Sequence, residues 1–384
     1  MGFRQLISDR RFCPGPTEPH VSTLEAYKQV SLYHRAQGFY DQFKDCQRKL
    51  AQVLGTKEMP LLLSSSATGA MEAAMINLTE ENDEILVLNA GKFGERWQKL
   101  GAAYKTRVNT ISCAAGEVPS LKSIEAAVTE NNKIRAVFLQ ACETSTGVYL
   151  PIKEIAQVIR QRSDALIVVD AVSSLVAHEI QGDNWGIDCI VGGSQKGFGV
   201  APGLSLIALS PKAWSRLSSR PKFYFDLKKE RDGQKDGRSA FTPPTTLILA
   251  LSKSLDHILS VGPKQYADYH SAVAHAMRET VLSMNLELFA PENPANSVTA
   301  VKLPSSVDGK ALQVALNKQY GLLVAGGQDA LAGKILRISH LGSIDPWDLL
   351  AVVGGLDLAL RNAGHRFDEG RGPATFLSNI RQLF

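Results

Sequence analysis

The fold of this chain is decided by residues 166–196, which read LIVVDAVSSLVAHEIQGDNWGIDCIVGGSQK. The segment holds two short apolar runs, LIVVD at its start and CIVGG near its end. Runs that are apolar at every position predict strands buried on both faces, as in a parallel sheet covered by helices. The first run ends in Asp170 and the second leads to Lys196. Both side chains are therefore expected at the carboxyl edge of the sheet, where open α/β folds bind ligands.

The same alternation of short apolar runs and longer amphipathic ones extends to both sides of this segment. The predicted strands are Leu61–Ser64, Glu84–Asn89, Arg107–Ile111, Ala136–Gln140, Ala165–Asp170, Cys189–Gly192 and Leu204–Ala208. The predicted helices between them include Gly69–Leu78, Phe93–Lys105, Leu121–Glu130 and Lys153–Arg162. This order predicts an α/β fold, in which a large domain has a mostly parallel seven-stranded sheet sandwiched by helices.

A second, smaller α/β domain is predicted at the C-terminus. A long helix, about Thr245–Val261, follows Pro243, and strands at Val298–Lys302 and Lys334–Ser339 alternate with helices after it. We place the large domain at residues 19–260 and the small domain at 261–384, with residues 1–18 packing against the latter. The mixed-charge stretch Lys228–Arg238 is interpreted as a solvated surface loop rather than a substrate-binding element.

Composition excludes several classes of protein. The 384 residues are 44% hydrophobic and 21% charged, with a formal net charge of +4, so neither a nucleic-acid nor a membrane partner is indicated. The five cysteines are scattered and form no C-x-x-C pair, which argues against a disulfide framework or a metal site. The start of the chain is too charged for a signal peptide, and no apolar run approaches the ~20 residues of a membrane span. We expect a cytoplasmic protein.

Asp170 and Lys196 each have an ordinary explanation when taken alone. An aspartate at a strand end is often a helix cap, and a lysine after a strand is often solvated. Together they match what a pyridoxal cofactor requires. The aldehyde needs an amine with which to form an imine, and the pyridine nitrogen needs a carboxylate that keeps it protonated.

A site for the phosphate of such a cofactor is predicted at LLLSSSATG, residues 61–69. An apolar strand runs here into hydroxyl residues and then into a helix. Ser66, Ala67 and Thr68 would lie at the helix N-terminus, where free backbone N–H groups and the helix dipole favour an anion. The alternative is an ordinary Ser/Thr N-cap.

Further pieces of sequence extend the pattern. They are CPGPTEP (residues 13–19), SSSATGAMEAA (64–74), ETSTGV (143–148), DAVSS (170–174), GGSQKGFGVAPG (192–203) and GGQDALAGKILRISHLG (326–342). In this order and spacing they resemble the class V aminotransferases of pyridoxal-phosphate (PLP) fold type I, close to the alanine–glyoxylate and serine–pyruvate enzymes. The resemblance runs from Cys13 to Gly342, most of the chain.

The resemblance implies roles for individual residues in binding pyridoxal 5'-phosphate. Lys196 would form the Schiff base and shuttle a proton, and Asp170 would pair with the pyridinium nitrogen. Phe93 would stack on one face of the ring, although a core phenylalanine at a helix start is the alternative, and Val172 would close the opposite face. The remaining cofactor contacts would come from Ser66, Ala67, Thr68, Thr144 and Gln195.

Two more residues are implied to act at the edges of the site. Arg337 would bind the substrate α-carboxylate, since its planar fork matches a carboxylate in two parallel hydrogen bonds; a structural salt bridge is the alternative. Thr242 resembles the threonine that reaches the phosphate of the neighbouring subunit. The active unit would then be a homodimer with active sites at the interface.

The function that the resemblance implies is transfer of an amino group from alanine or serine to glyoxylate or pyruvate by a ping-pong mechanism. The chain departs from close relatives at Ala67 and Thr68, at Phe93, at Ala141-Cys142 and at Ser239, which leaves substrate preference open. The alternatives are a 2-aminoethylphosphonate–pyruvate transaminase, a cysteine desulfurase-like lyase and a non-catalytic subunit of another complex. The lyase is disfavoured because no cysteine follows Cys189.

Overall fold

The computed structural model describes residues 8–28 and 32–384. The strands in these residues are β1 (Arg10–Phe12), β2 (Leu61–Leu63), β3 (Glu84–Asn89), β4 (Arg107–Ser112), β5 (Ile134–Gln140), β6 (Cys142–Glu143), β7 (Val148–Tyr149), β8 (Leu166–Asp170), β9 (Cys189–Gly193), β10 (Ser205–Leu209), β11 (Glu287–Leu288), β12 (Val298–Lys302), β13 (Leu322–Gly326) and β14 (Ile335–Ser339). The helices are α1 (Val21–Lys28), α2 (Gln37–Leu54), α3 (Ala67–Leu78), α4 (Lys92–Ala103), α5 (Leu121–Glu130), α6 (Ile152–Arg162), α7 (Pro211–Ser215), α8 (Leu227–Gln234), α9 (Thr245–Val261), α10 (Pro263–Ser283), α11 (Gly309–Tyr320), α12 (Pro346–Asn362) and α13 (Arg371–Ile380). Within the described residues, no helix combines the length and the apolar character that crossing a membrane requires.

The larger sheet has seven strands in the order β2-β10-β9-β8-β5-β3-β4. Strand β10 is antiparallel to both of its neighbours, and the other pairs, from β9 to β4, are parallel. The predicted α/β class and the mostly parallel seven-stranded sheet are confirmed. The sheet positions the site, because the carboxyl ends of β5, β8 and β9 lie side by side at one edge.

Two hydrophobic cores cover the two faces of this sheet. The side chains of β3 alternate between them, so that one strand contributes to both cores. Leu86 and Leu88 pack into the core that includes α2, α6 and α9. Ile85 and Val87 pack into the core that includes α3. Since side chains alternate across a strand with period two, a strand with a core on each face must be apolar at every position.

The smaller sheet has five strands in the order β1-β13-β14-β12-β11. Strand β1, from the N-terminal segment, pairs in parallel with β13, and Phe12 at its end is buried in the core of the smaller sheet. The division into domains 19–260 and 261–384 stays a prediction, and residues 1–7 of the predicted N-terminal segment lie outside the described residues.

The interpretation of Lys228–Arg238 as a solvated loop is wrong for most of its length. Helix α8 occupies Leu227–Gln234, and the Asp226 side chain caps it by accepting from the N–H groups of Lys228 and Lys229. Gln234 is 2% exposed and bonds both the N–H and the carbonyl of Leu62. The helix is therefore fastened to the edge strand β2 by a polar contact that is distant in sequence.

Candidate active site

Lys196 lies three residues after the end of β9 at Gly193, and its side chain contacts the segment before α1. Its Nζ donates a hydrogen bond to the carbonyl of Pro14. Thr17 fixes the backbone below, since its Oγ1 donates to the carbonyl of Lys196 at 2.8 Å. A Cβ added to Gly15 would lie 2.6 Å from the lysine Nζ, so glycine is required for this close approach.

Asp170 ends β8 at the same edge and is 6% exposed. The backbone N–H of Val172 donates to its Oδ1 at 2.9 Å. Among the described residues no other group donates to this carboxylate, so its second oxygen is open to a ligand. The helix-cap alternative fails, because the segment after β8 forms turns rather than a helix.

The electrostatics of the pair suit proton transfer. Burial lowers the pKa of Lys196 to about 8, with Cys142 and Asp170 opposing and Arg337 and Arg96 assisting. Burial also raises the pKa of Asp170 to about 6, against the Val172 N–H bond and the Arg96 charge, which lower it. Both shifts arise from removing a charge from water. Near neutral pH the lysine can therefore lose its proton, while the aspartate is mostly ionised.

The N-terminus of α3 is open. Ser66 is the N-cap residue, but its side chain accepts no capping hydrogen bond. The first N–H groups of a helix have no partner within the helix. The N–H groups at Ala67 and Thr68 are therefore available to an anion, and the alternative that the Ser66 side chain caps the helix is not supported.

Phe93 and Val172 are both half-buried, and both line one cavity with Asp170 and Lys196. The core alternative for Phe93 therefore does not hold. Helix α4 presents this ring because its N-terminus is bound by Glu143, a fully buried carboxylate whose Oε2 accepts from the N–H of Phe93 at 3.0 Å. Burial raises the pKa of Glu143, while bonds from Ser145, Phe93 and Gly94 oppose the rise.

Arg337 projects from β14 and is 7% exposed. Its Nε donates to the carbonyl of Gly326 and its Nη1 to the carbonyl of Thr144, each at 2.9 Å. Both partners are neutral, and no described carboxylate lies within salt-bridge distance of it. The salt-bridge alternative is thus not supported, and the guanidinium keeps donor capacity for an incoming carboxylate.

The cavity unites most of the predicted residues in a volume of about 150 Å³. It is lined by Ser66, Ala67, Thr68, Met71, Phe93, Arg96, Cys142, Asp170, Val172, Ser173, Gln195 and Lys196. Thr144 lies just behind this wall, 1% exposed, with its Oγ1 3.3 Å from Ser173 Oγ. Thr242 is not part of the cavity. It is exposed, and its carbonyl accepts from Ser64 Oγ at 3.4 Å.

Sequence reasoning missed Met71, Arg96, Cys142 and Ser173 in the cavity wall, and Gly15 beside Lys196. Arg96 was detectable, because it lies one helical turn after Phe93 and so on the same face of α4. Cys142 lines the wall, and burial raises its pKa to about 12, which keeps the thiol protonated. Gly15 was quoted within a motif, but only the folded chain brings it against Lys196.

A PLP molecule fits these residues. Lys196 supplies the amine, Asp170 an open carboxylate oxygen, and the N-terminus of α3 an anion site. The Oε1 of Gln195 is buried and has no hydrogen-bond partner among the described residues, as expected of a group that awaits a ligand or its water. Each chemical part of the cofactor would thus meet a complementary group.

Comparison with known proteins agrees with this geometry. The aminotransferase class-V family model matches residues 20–342. The chain is 35% identical to the soluble hydrogenase 42 kDa subunit of Anabaena cylindrica, over 94% of this chain and 96% of that protein. It is 29% identical to the L-aspartate–glyoxylate aminotransferase of Paracoccus denitrificans, over 97% and 96% respectively.

A solved structure shows the same architecture. The alanine–glyoxylate aminotransferase of Nostoc sp. superposes with a TM-score of 0.88 at 30% identity, covering 92% of this chain and 96% of that one. The resemblance inferred from the sequence is confirmed. The chain belongs to the class-V aminotransferase family and has the fold type I architecture of its PLP-dependent members.

Proposed function

We propose that this protein transfers the amino group of a small amino acid, alanine or serine, to glyoxylate or pyruvate, using PLP bound at Lys196. The observation that carries the proposal is that Lys196 and Asp170 face one cavity, with Arg337 nearby and no carboxylate of the described residues within salt-bridge distance of it. The donor would leave as a keto acid before the acceptor binds, in ping-pong order. The glyoxylate relatives in the family support the acceptor.

The cofactor, when bound, withdraws electrons from the Cα of the substrate, so that a proton there can be lost and returned. Asp170 would serve this chemistry by holding negative charge at the buried end of the cavity, where its open oxygen would accept a hydrogen bond from the protonated ring nitrogen. Its bond from the Val172 N–H fixes the carboxylate orientation.

Lys196 moves the proton. With burial lowering its pKa to about 8, its Nζ can be neutral, accept the proton lost from Cα of the donor and pass it to the cofactor; with the acceptor bound, it would carry the proton in the opposite direction. Gly15 lies against its side chain and the Thr17 hydroxyl holds its backbone carbonyl, which together limit the positions that Nζ reaches. Confinement of this kind holds the base close to the reacting carbon.

Arg337 orients the substrate. Its two hydrogen bonds to the carbonyls of Gly326 and Thr144 fix the guanidinium plane and leave the remaining N–H groups for the α-carboxylate. Those carbonyls belong to two separate segments of the fold, since Gly326 ends β13 in the smaller sheet and Thr144 follows β6. Substrate binding therefore depends on the two segments keeping their spacing.

A substrate panel tests the proposal. Purified protein loaded with PLP should form pyruvate from alanine plus glyoxylate, or hydroxypyruvate from serine, and should lose and regain its imine absorbance as each substrate is added alone. Aspartate and 2-aminoethylphosphonate complete the panel as donors. Exclusive turnover of the phosphonate would establish the alternative transaminase, and release of sulfide from cysteine would establish the lyase.

The non-catalytic alternative makes the opposite prediction. A subunit without activity would stay colourless after exposure to PLP, and borohydride would attach no cofactor to Lys196. Peptide mass spectrometry of the reduced protein decides this directly, because the label is expected on one lysine of the chain.

We also propose that the active unit is a homodimer, with Thr242 completing the site of the neighbouring subunit. The support is an exposed aromatic surface around it. Phe223 is 76% exposed and Tyr224 43%, and Tyr224 stacks on Phe241 at 4.9 Å, next to Thr242. A contiguous exposed apolar patch of this kind is typical of an interaction surface.

Mixed dimers test the shared site. Lys196→Ala subunits and Thr242→Ala subunits, each poorly active, would be mixed, dissociated and reassociated. A hybrid has one site with both residues intact if Thr242 acts across the interface, so activity should return. No recovery in verified hybrids would place Thr242 in its own subunit's site, and a monomer in sedimentation would end the proposal.

A further inference from the structure

Arg96 has no assigned role, and its surroundings are unusual for a half-buried arginine. It lines the active-site cavity from α4. Its Nη1 donates to Thr68 Oγ1 at 3.1 Å, and its guanidinium carbon lies 4.9 Å from the centre of the Phe93 ring. One planar group thus contacts both the first turn of α3 and the predicted ring-stacking residue.

The guanidinium charge is not neutralised. No carboxylate of the described residues lies within 4.0 Å of Arg96. The adjacent Glu95 is within reach of Lys92 at 3.2 Å and Lys99 at 3.8 Å instead. Elsewhere in the chain Arg135 lies 3.8 Å from an aspartate, and Arg160 contacts one. An unpaired cation beside a cavity indicates that an anion belongs there.

The end of the cavity that Arg96 faces is the end where an anion is expected. Thr68 is in the first turn of α3. The N–H groups at this N-terminus are not capped by the Ser66 side chain. The positive end of the helix dipole and the guanidinium charge therefore lie at the same end of the cavity, and both favour the binding of a dianion there.

We propose that Arg96 is a positioning residue for the cofactor phosphate, which holds the Thr68 hydroxyl at the N-terminus of α3 and supplies the uncompensated positive charge of that end of the cavity. This inference rests on the proposed PLP chemistry. The charge also reaches the rest of the site, since it lowers the pKa values of Asp170 and Lys196. Both effects favour the charge states that transamination uses.

The test compares two probes that differ only in the phosphate. Binding of PLP and of pyridoxal, which lacks the phosphate, would be measured on the apoprotein by absorbance titration for wild type, Arg96→Gln, Arg96→Lys and Lys99→Gln. The last variant removes one positive charge from an exposed position of the same helix and serves as the matched control.

We expect Arg96→Gln to weaken PLP binding about 10-fold or more, because a charge-assisted contact is lost, and to change pyridoxal binding little. Arg96→Lys should recover part of the PLP affinity, since it restores the charge without the planar fork. Lys99→Gln should match wild type with both probes.

Three results would overturn the proposal. They are equal losses for PLP and pyridoxal in Arg96→Gln, unchanged PLP affinity in that variant, and no recovery in Arg96→Lys. A wild-type protein that binds neither probe would instead contradict the proposed function itself. Thermal unfolding of each apoprotein separates loss of binding from loss of folding.

Discussion

Two buried aspartates lie at opposite edges of the seven-stranded sheet, and they differ in how their oxygens are used. Asp188 immediately precedes β9 at the amino edge and is 3% exposed. It contacts Arg160, accepts from Ser210 Oγ at 2.8 Å and accepts from the N–H of Ile167 at 2.9 Å. Asp170 ends β8 at the carboxyl edge, and among the described residues it accepts one hydrogen bond only, from Val172.

The difference separates a group whose oxygens are all used within the fold from one that keeps an oxygen open to a ligand. Every oxygen of Asp188 is satisfied within the protein, so its burial costs little. Asp170 is left partly unsatisfied, and burial raises its pKa to about 6. A sheet of parallel strands makes this division possible, because its carboxyl edge opens onto the site while its amino edge can be closed by neighbouring elements.

The largest effect is expected from Lys196→Ala at the carboxyl edge. Removing the amine should lower kcat/KM at least about 1,000-fold, since both the covalent attachment and the proton transfer are lost. Steady-state kinetics and borohydride labelling measure the two losses. Lys212→Ala, which removes a lysine near the amino edge that pairs with Asp164 at 2.7 Å, is the control and should keep both properties. Activity retained in Lys196→Ala would remove the basis of the functional assignment.

Asp170→Asn should lower kcat by about 100-fold or more, because the neutral amide no longer holds the ring nitrogen in its protonated form.

The Asp170→Asn change should also stabilise the apoprotein. The folded-state pKa of Asp170 is about 6, above its ordinary value of 3.8, so the folded protein binds a proton more tightly than the unfolded chain. The contribution of the protonated Asp170 carboxyl to stability is fully present below about pH 4 and is lost as pH rises through 6.

The pH dependence makes that prediction specific. Wild-type apoprotein should unfold at lower denaturant concentration at pH 8 than Asp170→Asn, by an amount corresponding to about 1–3 kcal/mol. At pH 4 the two proteins should unfold alike. Urea midpoints at the two pH values measure the difference, and a variant that is less stable than wild type at pH 8 would show that Asp170 has a structural role like that of Asp188.

The sequence predicts the strands of the larger sheet to within two residues, and the reason is their burial. Strands β5, β8, β9 and β10 have cores on both sides, so every position is under the same demand for an apolar residue. The ends of these strands then locate Asp170 and Lys196 from sequence alone. The end of the cavity proposed to bind the phosphate is found in the same way, from a strand that runs into hydroxyl residues and a helix.

What the sequence cannot predict depends on contacts between distant segments. Helix α8 looks like a solvated loop because its charges dominate its composition, whereas its position is fixed by Gln234 bonding the backbone of β2. Gly15 and Lys196 meet only because the N-terminal segment crosses the carboxyl edge. Such contacts leave no periodic pattern, since each involves a single residue.

Asp188→Asn tests the amino edge of the comparison. The change leaves the Arg160 guanidinium without its carboxylate, which should lower the free energy of unfolding by about 3 kcal/mol. This expected loss of stability is at the lower end of the range for a buried ion pair, because Arg160 keeps 26% of its side chain exposed. The activity of the folded fraction should be unchanged. A change in kcat at a temperature where the variant is fully folded would show that the two edges are not independent.

The smallest effects are expected at two helix N-termini, which show the same contrast between a side chain used within the fold and one left open. Asp345 caps α12 in a capping box, whereas Ser66 at the start of α3 caps nothing. Asp345→Ala should therefore cost about 1 kcal/mol of stability and leave PLP affinity unchanged. Ser66→Ala should cost less than about 0.3 kcal/mol and weaken PLP binding, because its hydroxyl is free for the phosphate. Calorimetry and absorbance titration of both variants give the four values. If Ser66→Ala lost stability as Asp345→Ala does, the hydroxyl would be a cap after all, and the open N-terminus of α3 would not be reserved for an anion.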